Sequence, residues 1–298
     1  MPPYRFVQTP PPAKPVDYRA ELLAAIDDLP PLPLVLNRVL QLLNDSDSSS
    51  SQIASMIEKD VVLSGSVLRC VNSAYYGLHA TVSSIRHAVT MLGFSTVRNL
   101  ALAFSLRRML TGAHQPSARL YSRYAQHSLS CAMLGQYLAA SVEVENADAA
   151  FAAGLFHDIG KLLILTTFPD LLPKITEQYE RGDCTFEQAE IEVLQVSHSE
   201  MSKIVLQKWQ LPSWIQEAVA DHHQPNNGPT PLEPPIKLSR IVLAADLYVN
   251  EYGLEILPTK RAGSYPANRA FEDIGLRQKM PEVLEKFKNE YESIRSLF

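Results

Sequence analysis

The segment with the strongest chemical character is Phe-His-Asp-Ile-Gly-Lys, at residues 156–161. On a helix, His157 and Asp158 would project about 100° apart around the axis, so both could reach one cleft. Lys161 follows His157 by four residues and would lie on the same face, where it could contact an anionic substrate or neutralise the site. Imidazole and carboxylate together are suitable ligands for Fe, Mn, Zn or Mg. A single His-Asp pair is weak evidence for a site, because such dipeptides also occur by chance.

Five further ionisable residues complete the candidate set. His127, His198 and Asp246 lie on predominantly apolar helix faces, where a polar group must find a partner. His222 and His223 form an adjacent pair. Each one alone is more simply explained as a core histidine, a polar helix end or a buried cap. The ordered set favours a common metal site. Mixed nitrogen and oxygen ligands favour Fe or Mn ahead of Zn or Mg, with one or two ions bound.

Helices are predicted along almost the whole chain, and they must position these residues. Only 12 glycines are present, and apolar residues recur at helical spacing. One helix is predicted from Asn146 through the His-Asp segment to Pro169, where proline ends it. Thr185 and Gln188 form a predicted capping box. Other predicted helices cover residues 32–43, 84–92, 95–110, 117–140, 236–252 and 281–298, and a short helix from Pro212 ends at His222 and His223.

Two helical subdomains are predicted to meet at the Gly-Ala-His-Gln-Pro sequence of residues 112–116. The predicted divisions are a Pro-rich tail (1–18), an N-terminal helical subdomain (19–114), a second subdomain carrying the candidate site (115–257) and a C-terminal extension with a final helix (258–298). Residues 258–269 are predicted to be irregular. Trp209-Gln210-Leu211-Pro212 is predicted to form a corner that packs two helices together.

The composition of the chain indicates which cellular compartment the protein occupies and which classes of partner it is expected to bind. The formal net charge is -5 and the isoelectric point about 5.9, which argues against a nucleic-acid-binding role. The three cysteines, Cys70, Cys131 and Cys184, form no Cys-x-x-Cys pair and are typical of idle thiols in a reducing compartment. The most apolar stretch, residues 151–168, is interrupted by charged residues, and the N-terminus lacks a signal pattern. A cytoplasmic protein without a membrane partner is predicted.

Several motifs in order give the chain, from about Leu29 to Tyr252, a resemblance to the HDOD (HD-related output domain) family of bacterial signalling proteins. The motifs are LPPLP at 29–33, Asp60, LRCVNSAYYG at 68–77, SSIRHAVTMLG at 83–93, GLFHDIGKL at 154–162, SHSEMSKIVLQKWQLP at 197–212 and AVADHH at 218–223. The family belongs to the superfamily of HD and HD-GYP metal-dependent phosphohydrolases. The resemblance implies an all-α, HD-like helical bundle with an additional N-terminal helical subdomain.

The resemblance also assigns roles to the candidate residues. His127, His157, Asp158 and Asp246 match the four positions that an HD hydrolase uses. His198, His222 and His223 match the extra ligands of HD-GYP relatives that carry two or three metals. The chain lacks the acid after the paired histidines and the Gly-Tyr-Pro motif, since the segment here is HHQPNNG, which argues against an HD-GYP phosphodiesterase. Asp60-Val61 replaces the usual Asp-Pro and should change only a helix start.

Three functions remain open on the sequence. The first is a regulatory output module that binds a protein partner or a small signalling nucleotide. The second is an active phosphohydrolase on a nucleotide or cyclic dinucleotide, in which a metal lowers the pKa of bound water and Asp158 or a free histidine transfers protons. Asp158 and Lys161 are its candidate catalytic residues. The third is a structural protein with an inert metal site. Regulation is favoured, because the resemblance covers most of the chain whereas catalysis requires only part of it.

Overall fold

The computed structural model describes residues 16–29, 31–41, 50–111, 118–144, 147–182, 184–224, 232–257, 259 and 265–295. Within these ranges the protein is all-α, as predicted, and its β-structure amounts to a single isolated bridge between Val144 and Ile236. The predicted boundary at 112–116, the Asn146 cap and nearly all of the Pro-rich tail lie outside the described residues.

The helices of the first part of the chain are α1 (Tyr18–Asp27), α2 (Leu34–Gln41), α3 (Ser50–Lys59), α4 (Val61–Val71), α5 (Ile85–Leu92) and α6 (Phe94–Thr111). The second part contains α7 (Ala118–Ala139), α8 (Ala150–Phe156), α9 (Ile159–Thr167), α10 (Leu172–Glu180), α11 (Phe186–Leu194), α12 (His198–Lys208), α13 (Ser213–Ala220) and α14 (Leu238–Glu251). The C-terminal helices are α15 (Ala267–Asp273) and α16 (Met280–Ile294).

Side-chain caps fix several helix starts at positions that the sequence indicates. Asp60 caps α4 by accepting from the Leu63 amide at 3.1 Å. Thr185 and Gln188 form the predicted capping box at the start of α11, with both reciprocal hydrogen bonds present. Each such cap satisfies an amide that the helix itself leaves without a partner.

Helices α2 to α6 pack around one another, while α7, α8, α9, α12, α13 and α14 surround the candidate site. Helix α1 lies against α9 and α12, where Arg19 pairs with Glu200 at 2.6 Å. Helix α16 packs on α7 and on the turn after α4. There the Glu290 carboxylate accepts hydrogen bonds from the hydroxyls of Tyr76 (3.3 Å) and Tyr137 (2.5 Å), which ties the two parts of the chain together.

Three details of the predicted elements are wrong. The helix expected to run unbroken to Pro169 is two helices, because Asp158 leaves the helical region at φ -104° and ψ 15° and begins α9. Helix α13 ends at Ala220, so the paired histidines lie in the turn that follows it. The segment expected to be irregular contains the start of α15, which Pro266 precedes.

One apolar stretch, Ala150–Thr167, is long enough to cross a membrane by length and composition alone, but 83% of it is buried inside the fold. Burial of this kind is consistent with the core of a soluble protein, and the stretch is interrupted at the His-Asp pair.

Candidate metal centre

The structure brings together all seven side chains that the sequence nominates as metal ligands. Helix α7 supplies His127, the turn between α8 and α9 supplies His157 and Asp158, and α14 supplies Asp246. The first turn of α12 supplies His198, and the turn after α13 supplies the other two, His222 and His223. All but His223 are buried. Residues separated by more than a hundred positions therefore share one small volume.

The donors fall into two groups, of which the first contains His127, His157, Asp246 and Cys131. The Nε2 atoms of His127 and His157 are 3.3 Å apart. Asp246 Oδ1 lies 3.2 Å from His127 Nε2 and 3.6 Å from His157 Nε2. These donor separations are of the size found between the ligands of a single metal ion.

The second group contains Asp158, His198, His222 and His223. Asp158 Oδ1 lies 3.3 Å from His198 Nε2 and 3.8 Å from His222 Nε2. Its other oxygen, Oδ2, lies 3.5 Å from the Nε2 atoms of both His127 and His157 in the first group. Asp158 therefore lies between the two groups. Carboxylates take this position in sites that hold two metal ions about 3.5–4 Å apart.

Hydrogen bonds at the far ring nitrogen hold four of the imidazoles with Nε2 towards the centre. The Nδ1 partners are Leu254 O for His127 (3.0 Å), Gly154 O for His157 (2.8 Å), Val219 O for His222 (2.6 Å) and Glu190 Oε2 for His198 (2.5 Å). A carbonyl or carboxylate at Nδ1 makes that nitrogen the donor. Nε2 is then free to bind a metal, as in most histidine-ligated metal sites.

Two buried atoms at the centre have no hydrogen-bond partner among the described residues, and both are acceptors. They are Asp158 Oδ1 and His222 Nε2. Burial, together with the neighbouring imidazole of His157, lowers the pKa of His222 to about 3, so its Nε2 carries a lone pair at neutral pH. Two buried lone pairs that face each other across 3.8 Å are costly unless a cation lies between them. The donor set therefore fits a metal ion.

The charge balance of the protein without metal relies on Lys161 and on protons. Lys161 Nζ lies 2.7 Å from Asp158 Oδ2. Burial opposes ionisation of Asp158, but the Lys161 ammonium and the surrounding imidazoles hold the pKa of this carboxyl well below its usual range. Burial likewise opposes protonation of His127, yet the adjoining Cys131 and the two aspartates raise its pKa well above the ordinary value. A proton on His127 thus takes the place that a cation would fill.

Two glycines next to the His-Asp pair allow the helices to approach closely enough for this geometry. A Cβ at Gly154 would lie 2.7 Å from the carbonyl oxygen of Cys131 on α7. A Cβ at Gly160 would lie 2.5 Å from the amide nitrogen of Ser202 on α12, and still closer to the carbonyl oxygen of His198. The Gly160 amide donates to Ser202 Oγ at 2.8 Å. Both contacts are backbone to backbone, which only glycine permits.

Two side chains of the centre are not among the residues predicted from sequence. Glu190 is buried and accepts from both the amide (2.8 Å) and the ring of His198. It lies on the apolar face of α11 with Phe186, Ala189 and Val193, a position that marks it in the sequence as a buried acid but does not identify His198 as its partner. Cys131, predicted to be idle, lies 3.6 Å from His127 Nε2 and one helical turn after it.

Sequence comparison identifies the family. An HDOD domain model matches residues 29–225, so the chain belongs to the HDOD family. The match ends before Asp246, so this candidate ligand lies outside it. An uncharacterised protein of Treponema pallidum is 26% identical over 215 residues, which is 72% of this chain and 41% of that protein. This chain thus spans less than half the length of that relative.

Solved structures support the same fold. An HDOD domain protein of unknown function from Geobacter sulfurreducens is 23% identical, with a TM-score of 0.75 over 94% of this chain and 97% of its own. A protein of Shewanella amazonensis named "putative phosphohydrolase" is also 23% identical, with a TM-score of 0.69 over 93% of this chain and 98% of its own. At these identities the similarity concerns the fold alone.

Proposed function

We propose that this HDOD protein is a regulatory output protein in which a buried metal centre holds the helices in a signalling-competent arrangement. The signal would be a protein partner or a small signalling nucleotide. The observation that carries the proposal is the enclosure of the centre: six of the seven ligand side chains are at most 2% exposed. Structural metal sites are closed by protein ligands, whereas catalytic sites keep one coordination position open.

The two donor groups would hold one or two divalent ions. His127, His157 and Asp246 would bind the first ion, and His198, His222 and His223 the second, with Asp158 between them. Nitrogen and oxygen ligands together favour Fe or Mn. The ion would neutralise the carboxylates and, if a substrate reached it, would polarise a phosphoryl group. Glu190 would orient His198, since the carboxylate fixes its tautomer.

The experiment is elemental analysis of the full chain, purified without added metal or chelator, followed by a turnover screen. The substrates are bis(p-nitrophenyl) phosphate and cyclic dinucleotides. We expect bound metal and no turnover. The variant His157→Asn should lose metal and thermal stability, whereas His79→Asn, at an exposed position outside the site, should change neither. Turnover that disappears in His157→Asn would refute the regulatory proposal, and an absence of metal in the purified wild type and after reconstitution would refute the metal centre.

A second function, a metal-dependent phosphohydrolase, is favoured by one feature of the same site. The Lys161 side chain is 14% exposed, and its Nζ contacts Asp158. The centroid of the Phe186 ring lies 5.9 Å from the same Nζ. An ammonium group at the edge of a metal centre is well placed to bind a phosphate. If this function is correct, Lys161→Met should lose most turnover while retaining metal, since Lys161 belongs to neither donor group.

A further inference from the structure

We infer that Cys131 is a sulfur ligand of the first metal position, which makes that position a His-His-Asp-Cys site with a preference for Zn²⁺ or Fe²⁺ over Mn²⁺ and Mg²⁺. The inference rests on the proposed metal centre and adds to it a ligand outside the HD pattern. Cys131 follows His127 by four residues on α7, so both side chains project from one face of the helix. The cysteine is completely buried and is not part of a disulfide.

The distances from His127 Nε2 to the His157 and Cys131 donor atoms match those around a tetrahedral ion. With Zn–N of about 2.05 Å and Zn–S of about 2.3 Å, two nitrogens lie about 3.4 Å apart and a sulfur and a nitrogen about 3.6 Å apart. The observed separations are 3.3 Å between His127 Nε2 and His157 Nε2 and 3.6 Å between Cys131 Sγ and His127 Nε2. The donor atoms of all four residues, Asp246 included, lie within 4.8 Å of one another.

Charge balance supports the same assignment. The two imidazoles are neutral as ligands, so Asp246 supplies only one of the two negative charges that balance a buried divalent ion, and the Asp158 carboxylate is shared with Lys161 and the second donor group. A Cys131 thiolate supplies the second negative charge and makes the first position neutral, which lowers the cost of burying it. Thiolate is a soft ligand, and a site that includes it selects Zn²⁺ or Fe²⁺, whereas oxygen-rich sites suit Mn²⁺ and Mg²⁺.

The alternative explanation is that Cys131 is a protonated thiol that packs against His127 and donates weakly to its ring. Co²⁺ reconstitution of the full chain separates the two, because a thiolate bound to Co²⁺ gives a near-ultraviolet charge-transfer band that imidazole and carboxylate ligands do not give. We expect this band in the wild type and in Cys70→Ser, whose cysteine is equally buried on α4. We expect no band in Cys131→Ser.

Chelator competition supplies a second measurement. Cys131→Ser should weaken Zn²⁺ binding by more than the roughly 10- to 100-fold that loss of an outer-shell partner costs, and should weaken Mn²⁺ binding much less. Co²⁺ bound by the wild type without a charge-transfer band would overturn the assignment of Cys131 and leave the metal centre standing. No Co²⁺ bound at all would overturn both. If Cys131→Ser does not fold, the double variant Cys70→Ser/Cys184→Ser, which retains Cys131 as its one thiol, decides the matter: the band should persist in it, and its loss would overturn the assignment.

Discussion

Replacement of Gly160 by alanine tests whether the contact between α9 and α12 sets the geometry of the second donor group. The added Cβ would lie 2.5 Å from Ser202 N and 2.8 Å from Met201 Cβ, whereas ordinary contact begins at 3.4 Å. The contact with the His198 carbonyl oxygen would be closer still, so the two helices would have to separate by at least about 1 Å, because atoms of a packed helix cannot rotate away. His198 begins α12, so the separation would move its ring away from Asp158.

The expected magnitudes follow from that displacement. Overpacking of this kind costs about 1–3 kcal/mol, and weakening of the bond from the Gly160 amide to Ser202 adds about 1 kcal/mol. Alanine in place of glycine in a helix raises the free energy of unfolding by about 0.5–1 kcal/mol, which offsets part of this loss. We therefore expect a net loss of about 2 kcal/mol in the free energy of unfolding. Metal–ligand distances tolerate deviations of only about 0.2 Å, so the second ion should be lost while the first remains.

The assay is urea unfolding of the metal-free protein, together with the metal content of the reconstituted protein. The matched control is Gly65→Ala in the middle of α4, where nothing lies within 4 Å of an added Cβ. That variant should be more stable by about 0.5–1 kcal/mol and keep its full metal content. If Gly160→Ala behaves like Gly65→Ala in both measurements, close backbone approach does not position His198, and the reasoning is wrong.

Three further predictions concern the core, the titration of the site and the C-terminal helix. Trp209 is 5% exposed and lies at the predicted corner between α12 and α13. Trp209→Ala should lower the free energy of unfolding, measured in urea, by about 3–5 kcal/mol. Burial lowers the pKa of His222 from 6.5 to about 3. Between these two pH values the histidine is protonated in the unfolded chain but not in the folded chain. The free energy of unfolding therefore decreases as the pH falls below about 6.5. Metal-free wild type should therefore lose about 2 kcal/mol more between about pH 7 and about pH 5 than His222→Gln does. Glu290→Ala should cost about 1–3 kcal/mol in urea, because the hydroxyls of Tyr76 and Tyr137 lose their acceptor.

Each of these predictions has a control on the same element or of the same residue type. Trp214→Ala, at the half-buried second residue of α13, should cost less than Trp209→Ala. His79→Gln, at an exposed position, should leave the slope of stability against pH unchanged. Glu285→Ala, exposed on α16, should be nearly neutral. A control that matches its partner variant would show that burial or the hydrogen bond in question is not the cause.

The all-α class and most helix positions could be predicted from the sequence, because apolar periodicity and caps are local signals. The break in the middle of residues 150–167 could not. Every residue there is compatible with a helix, and apolar residues continue on both sides of the His-Asp pair, at Phe156 and at Ile159. The break follows from tertiary contacts, since Gly154 must meet α7 and Gly160 must meet α12, and one straight helix cannot satisfy both approaches.

Site residues that belong to a sequence motif could be predicted. Site residues whose role depends on a contact with a residue distant in sequence, or on a role that is rare for their residue type, could not. His157 and Asp158 stand out as an adjacent pair, and the other histidines stand out by their rarity on apolar faces. Glu190 is one of several acids on α11, so its contact with His198 becomes evident only when the helix is docked. Cys131 lies four residues from His127, but a cysteine in a helix is far more often a small apolar side chain than a ligand.

The position of the centre explains how a metal that performs no reaction could still be needed. Its candidate ligands come from α7, α12, α14 and the turns after α8 and α13, and they lie at the point where these helices meet. An ion that binds only the folded chain adds about 2.7 kcal/mol of stability at a free concentration 100-fold above its dissociation constant. Without the ion, the buried lone pairs of Asp158 Oδ1 and His222 Nε2 lie 3.8 Å apart with no positive charge between them. Their repulsion favours separation of the elements that carry the two residues. In the proposed function, occupancy of the centre and the relative placement of these helices would therefore be linked, and a partner that recognises that placement would respond to the metal without contacting it.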